Sequence, residues 1–315
     1  MSNPNPTLGP PTTLGTLAIT GATGTIGRDV LTSLIAGGHG QRVRAVVRDP
    51  VGITADVQTV HADFSDPDTL ATAFDGAEAV LLLCGHHPDQ LTYERAALAA
   101  ATAAGVQRVV YISAAAADRD PAPALALGHQ RLERELLAST QLAGTVLRPT
   151  AVFSSLLTGI GGLIRPDGQV PLAFGAARVT LVDARDVGDA AAVVLADARH
   201  AGCVYTLTGP QSLSGDEIVA ALADALEVPL QHIDHTPAAL QDLLLRAGAP
   251  TEMVGHLFDL FSYFGSGEMD TVTTDVATLT GHQPRSLDSW LRSSQGEALI
   301  ARMAAQSNRL AADTS

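Results

Sequence analysis

The chain has 315 residues, of which 46% are hydrophobic and 17% charged, and carries a net charge of −14. That is the composition of a globular protein long enough for one extensive core or two, and its acidic balance excludes the basic face that nucleic-acid binding needs. Two cysteines exclude a disulfide framework and a cysteine-based zinc site, and no apolar run reaches the roughly 20 residues of a membrane helix. The alanine-rich, lysine-free bias reads as a high-GC coding preference.

Residues 1–15 are rich in Pro, Thr and Asn and have neither a basic region nor an apolar one. They read as a flexible leader and not as a signal peptide, which implies a cytoplasmic protein. Residues 17–27 run Leu-Ala-Ile-Thr-Gly-Ala-Thr-Gly-Thr-Ile-Gly, a short apolar strand entering three glycines, and an amphipathic stretch follows from Arg28 to Ala36. Glycine suits a tight turn, a close approach of the main chain to a pyrophosphate and tight helix-on-strand packing. The helix start offers free N–H groups to phosphate. The segment therefore predicts a dinucleotide-binding turn.

A β-branched run, Gln41 to Val47, ends at Arg48-Asp49-Pro50, and Val57 to Val60 reads as a third strand. Pro67 after Ser65-Asp66 opens a helix. Ala79 to Leu83 is a fully apolar central strand, Asp89 to Ala104 an alanine-rich helix, and Arg108 to Ile112 the next strand. A helix over Leu125 to Ser139 and a strand over Gly144 to Leu147 complete an alternation that predicts a doubly wound parallel sheet.

Beyond Arg148-Pro149 the rhythm breaks, and residues 150–180 read as loops and short segments. Val179 to Asp183 is a strand, Ala184 to Leu195 a helix and Val204 to Leu207 a strand. Ser214 with Glu217 forms a capping-box pattern that opens a helix to Leu226, and the remainder to about residue 305 is helical, interrupted at Gly265-Ser266-Gly267. The expected division is a Rossmann domain over 16–150 plus about 181–200, with a substrate-binding region over 151–180 plus about 201–305.

Thr20 to Gly27, Val47-Arg48, Asp63-Phe64, Tyr111-Ile112-Ser113-Ala114, Leu147-Arg148-Pro149 with Phe153, Val182 to Val187, and Thr280 to Arg285 occur in an order that resembles the NmrA-like branch of the atypical short-chain dehydrogenases. The resemblance spans about residues 17–293. It implies an α/β fold with a doubly wound parallel Rossmann sheet and a smaller, mostly helical C-terminal substrate-binding region. The family includes quinone reductases, isoflavone-reductase-like enzymes, biosynthetic tailoring enzymes and non-catalytic redox sensors, so the resemblance leaves the substrate open.

For the cofactor, the glycine turn contributes Gly21, Thr23, Gly24, Thr25, Ile26 and Gly27. Arg48, at the carboxyl end of the second strand, suits the 2′-phosphate of NADP better than the free ribose of NAD, although Asp49 could serve the ribose instead. The resemblance places Asp63 and Phe64 beside the adenine, Ser113 near the nicotinamide, and Pro149 with Phe153 over it. Leu83, Cys84 and Gly85 lie at the end of the fourth strand, where the nicotinamide ribose would pass, and both cysteines, Cys84 and Cys203, read as buried free thiols.

Ordinary short-chain dehydrogenases carry Tyr-x-x-x-Lys on the helix after the fifth strand. Here Leu125 and His129 fall at those places, so the standard machinery is absent and His129 is the candidate proton donor. Ser113 and His86 complete the catalytic candidates. His86, His87 and Tyr93 suit substrate contact better than metal, and no metal is expected. The aromatic cluster Phe258, Phe261, Tyr263 and Phe264 fits a packed core and a ligand cavity equally, and Gly265-Ser266-Gly267 could hinge a lid.

The reading is an NADP-dependent oxidoreductase of a hydrophobic quinone, enone or carbonyl, with a place in secondary metabolism left open. Its rivals are a non-catalytic NADP(H)-binding sensor and a tailoring enzyme doing non-redox isomerisation or cyclisation in the same pocket. A homodimer is left open.

Overall fold

The computed structural model describes residues 15–53, 57–120 and 122–313, with side chains to residue 305. The leader therefore lies outside the described residues, apart from Gly15. The chain runs β1 (Thr16–Ile19), α1 (Thr25–Ala36), β2 (Val43–Val47), β3 (Gln58–His61), α2 (Pro67–Phe74), β4 (Ala77–Leu82), α3 (Gln90–Ala103), β5 (Arg108–Ile112), α4 (Leu127–Leu137) and β6 (Ala143–Pro149). It continues through β7 (Ala151–Val152), α5 (Phe153–Gly161), β8 (Gln169–Leu172), β9 (Arg178–Val182), α6 (Ala184–Ala196), β10 (Val204–Leu207), β11 (Ser212–Ser214), α7 (Gly215–Leu226) and β12 (Gln231–Asp234). Five helices close it: α8 (Pro237–Arg246), α9 (Thr251–Gly265), α10 (Asp275–Thr280), α11 (Leu287–Leu291) and α12 (Ser294–Asp313).

The main sheet has seven strands in the order β10-β6-β5-β4-β1-β2-β3, every neighbouring pair parallel. Because side chains alternate across a strand, Leu17 and Ile19 face one way and join Val30, Leu34, Val187 and Ala191 from α1 and α6. Ala18 faces the other way, with Leu70, Phe74, Ala97, Ala101 and Leu132 from α2, α3 and α4. This is the doubly wound architecture expected. The chain leaves β1 toward β2 on one side and reaches β4 on the other, so a crevice opens at the carboxyl ends of β1 and β4, the topological switch point.

A third core holds α5, β8, β9, α7, α8 and α9 together. Residues 153–161 are helical where loops were expected. Phe153, Leu156, Leu157 and Ile160 recur at helical spacing and all are buried, so packing overrides the breaking effect of the glycines that follow. The helix predicted from Leu125 starts instead at Leu127, after a single 3₁₀ turn over Ala124–Ala126. The Ser214–Glu217 capping box forms in both directions.

Of the four C-terminal aromatics, Phe261, Tyr263 and Phe264 are core residues, and Phe258 is half-buried. Phe264 stacks on Phe174 at 5.4 Å and 10°, Phe261 meets Phe174 edge-on, and Tyr263 is buried. Gly267, just beyond α9, adopts φ +75°. Among the described residues no helix is long and apolar enough to cross a membrane. Cys84 and Cys203 are free but half-buried, a correction to the fully buried thiols expected, since each lies just outside its strand.

Candidate active site

Two of the three glycines are required on steric grounds, and the third closes the turn between them. Gly21 turns the chain at φ +62°, and a Cβ there would sit 2.7 Å from the Leu83 carbonyl oxygen. Gly24 donates its N–H to the Gly21 carbonyl at 2.9 Å and closes the turn. At Gly27 a Cβ would collide with that same Gly21 carbonyl, so only glycine lets α1 start against the turn. The buried hydroxyl of Thr20 ties this loop to β4: it donates to the Leu81 carbonyl at 2.9 Å and accepts from the Leu83 N–H at 2.9 Å.

Above this floor lies a cleft of about 580 Å³. It brings together Gly21, Thr23, Gly24, Thr25, Ile26, Arg48, Asp63, Phe64, Leu83, Cys84, Gly85 and His86 from the sequence-derived candidates. Arg48 is exposed at the cleft, whereas the Asp49 carboxylate turns back to accept from the Val51 N–H at 3.1 Å and does not line it. The carboxylate of Asp63 accepts from the Ser65 N–H and hydroxyl, which hold its pKa below the usual range. Burial, reinforced by the nearby Glu94, pushes the Cys84 thiol up to about 12, so it is a wall group and no nucleophile.

Five candidates lie outside this cleft's lining, the first being Gly27, which is buried at the start of α1. Phe153 is 1% exposed and packs against Trp290 in the C-terminal core; Val152 and Ser155 line the cleft in its place. Pro149 is buried as the last residue of β6. Ser113 is buried and donates to Glu133 Oε1 at 2.5 Å, and Glu133 in turn is clasped by both arms of the Arg148 guanidinium. That hydroxyl is therefore held within an internal ion pair.

His129 lines a second chamber of about 380 Å³, which adjoins the cleft at His86 and His87. Leu91, Leu125 and Gly128 line it together with Glu94 of α3 and with Glu252, Gly255, His256 and Asp259 of α9. The His86 ring lies 4.7 Å from that of His256. The His129 Nδ1 is 2.5 Å from the Tyr111 hydroxyl, which reaches Glu94 Oε2 at 3.1 Å. Burial lowers the pKa of His129 and raises that of Glu94 to about 7, despite the Gln90 amide and Tyr111 hydroxyl that favour its charged form.

Sequence reasoning missed Glu94, although a signal was present. Glu94 shares the buried face of α3 with Ala97 and Ala101, an acidic residue on a stripe that otherwise packs on the sheet. The α9 residues carry no motif and are brought here only by tertiary packing.

A separate cluster, Asp186, Asp189 and His282, has the composition of a metal site, with ligand atoms within 4.8 Å of one another. Its cation is already present. Arg285 pairs with both carboxylates, its backbone N–H donates to Asp186 Oδ2 at 2.7 Å, and the Ser33 hydroxyl donates to Asp189. The cluster fastens the segment after α10 to α6.

Comparison with known proteins gives one consistent picture. The model of the NmrA-like family matches residues 13–291. A relative from Streptomyces griseus, "(4-alkanoyl-5-oxo-2,5-dihydrofuran-3-yl)methyl phosphate reductase", is 30% identical over 87% of this chain and 96% of its own. "Quinone oxidoreductase 2" of Escherichia coli is 28% identical over 86% and 96%. The crystal structure of the NADPH-dependent quinone oxidoreductase from Escherichia coli, complexed with NADPH, superimposes with a TM-score of 0.80 at 26% identity, covering 91% of this chain and 99% of that one. With motifs, fold and full-length matches in agreement, the chain belongs to the NmrA-like family.

Proposed function

We propose that the chain is an NADPH-dependent reductase of a hydrophobic quinone, enone or carbonyl compound. The observation that carries this reading is the pair of adjoining cavities: a glycine-floored cleft suited to a dinucleotide opens, past His86, onto a chamber lined by the half-buried His129. The names of the relatives, reductases of a quinone and of an oxo-dihydrofuran, support the same class.

The residues fit the cofactor. Gly21, Gly24 and Gly27 leave room for the main chain to approach phosphate, and the start of α1 presents unpaired N–H groups to it. The Arg48 guanidinium suits a 2′-phosphate, and the Asp49 carboxylate, engaged with Val51, does not line the cleft, which favours NADP over NAD. When bound, NADPH supplies a hydride. The protein's own part is to hold the acceptor in the chamber and to provide a proton. A chain without lysine has no Tyr-x-x-x-Lys pair, and His129 stands as its proton donor. We assign selection of the acceptor to the helical region, through α9.

The test is NADPH oxidation by the purified protein across a panel of quinones, enones and aldehydes. Turnover above background with at least one acceptor is expected, with NADH a poorer donor. No hydride consumption with any of them would refute the assignment.

A further inference from the structure

The buried chain Glu94–Tyr111–His129 is more than a set of packed polar groups, because its hydrogen-bond directions cannot all be fixed at once. The phenol has a single proton and sits between two potential acceptors, Glu94 Oε2 at 3.1 Å and His129 Nδ1 at 2.5 Å. If Glu94 is a carboxylate, Tyr111 donates to it, and Nδ1 must carry the proton that the phenol oxygen accepts. The neutral imidazole then has a bare Nε2. If Glu94 is a carboxylic acid, it donates to the phenol oxygen and Tyr111 donates to Nδ1. The neutral imidazole then carries its proton on Nε2. That nitrogen has no hydrogen-bond partner among the described residues, while His129 lines the chamber.

We propose that Glu94 is the positioning residue that sets the tautomer of His129 and resupplies its proton through Tyr111. This rests on the reductase reading above and deepens it, since an acceptor that gains a hydride must also gain a proton. The acceptor oxygen takes the Nε2 proton, Nδ1 takes the Tyr111 proton, and the Tyr111 oxygen takes the Glu94 proton. One proton leaves Glu94 and one enters the product; between turnovers a solvent proton enters at the bare Nε2 and the relay runs back, Nδ1 to the Tyr111 oxygen and Tyr111 to the Glu94 carboxylate, which restores the starting tautomer.

The surroundings suit this role. Tyr111 on β5 is fully buried, and burial beside Glu94 pushes its phenol far above neutrality, so it passes a proton without ionising. Glu94 titrates at about 7, where acid and carboxylate are both populated. The other groups facing the chain are Gln90 of α3, the Cys84 thiol with His86 and His87 after β4, Glu133 of α4, and Glu252, His256 and Asp259 of α9. Cys84 remains protonated and Glu133 is already paired with Arg148.

Nitrogen-15 shifts of the His129 ring, followed through the neutral range in the unliganded full-length protein, test the coupling without turnover. The proton should move from Nε2 to Nδ1 as pH rises through about 7, and Glu94→Gln and Tyr111→Phe should each abolish that switch. Turnover of an enone by the wild type should fall about tenfold per pH unit above the Glu94 titration, and Glu94→Gln should turn over slowly without this limb. A wild-type tautomer that is constant through the range, or an alkaline limb retained in Glu94→Gln, overturns the proposal. If the wild type reduces no acceptor, the reductase reading falls while the ring shifts still decide whether Glu94 governs His129.

Discussion

Removing the cation from the Ser113–Glu133–Arg148 cluster should be among the most damaging single changes available outside the cleft. The side chains of Glu133 and Arg148 are 4% and 17% exposed, and the guanidinium contacts both carboxylate oxygens. In Arg148→Met the aliphatic volume is largely kept, but Glu133 retains only the Ser113 hydroxyl at 2.5 Å to oppose burial of its charge. Breaking a buried pair from one side costs about 3–5 kcal/mol, because the other charge stays desolvated. The partial exposure of Arg148 puts the expected loss near the lower end, about 3 kcal/mol. Replacing both groups, in Glu133→Leu with Arg148→Met, should recover most of that loss, since no charge is left behind. Urea unfolding of the wild type, both single variants and the double variant completes the cycle. A loss below about 1 kcal/mol in Arg148→Met, or a double variant as unstable as the single one, would refute the claim that the pair is a closed internal unit.

Three further outcomes follow from the same geometry. Arg48→Ala should weaken NADPH by about tenfold or more and leave NADH nearly unchanged, read by fluorescence titration with each nucleotide; an equal loss for both would show that Arg48 does not meet the 2′-phosphate. Gly27→Ala drives a Cβ into the Gly21 carbonyl, with Ala22 Cα at 2.8 Å, so it should cost about 1–3 kcal/mol in stability and abolish nucleotide binding. Retained binding at wild-type affinity would contradict the steric argument. Asp29 is raised to about 6 by burial and by the nearby Asp183, and its Oδ2 has no partner. A carboxyl whose folded pKa lies above its unfolded value of 3.8 burdens the fold once ionised, and the burden fades as pH falls from about 6 toward 3.8. Asp29→Asn should therefore stabilise the protein by about 1 kcal/mol above that window, after allowance for partial solvation, and gain little below it. Denaturant midpoints that do not change with pH in this way would count against the assignment.

The parts of the molecule legible in the sequence are those governed by neighbours along the chain. The Thr20–Gly27 turn, the alternation of strands and helices, and the Ser214 cap each follow from local spacing, and Arg48 follows from its place at a strand end. What stayed hidden depends on which helix covers which strand. Ser113 resembles a free strand-end hydroxyl until α4 delivers Glu133 to it. Phe153 looks like a cleft wall after Pro149 until α5 forms and turns it toward Trp290. Glu94 and Tyr111 lie 17 residues apart and become partners only when α3 packs on β5. His256 and Asp259 are ordinary helix residues until α9 is placed opposite His86.

The Thr20 hydroxyl, which both donates to β4 and accepts from the residue just beyond it, couples the glycine turn and the end of β4 into one rigid plate. The opposite wall of the chamber, α9, belongs to a different core and meets the segment after β4 at the ring contact of His86 with His256. On the reductase reading, substitutions on α9 reshape the acceptor chamber while the glycine turn that seats the nucleotide keeps its shape.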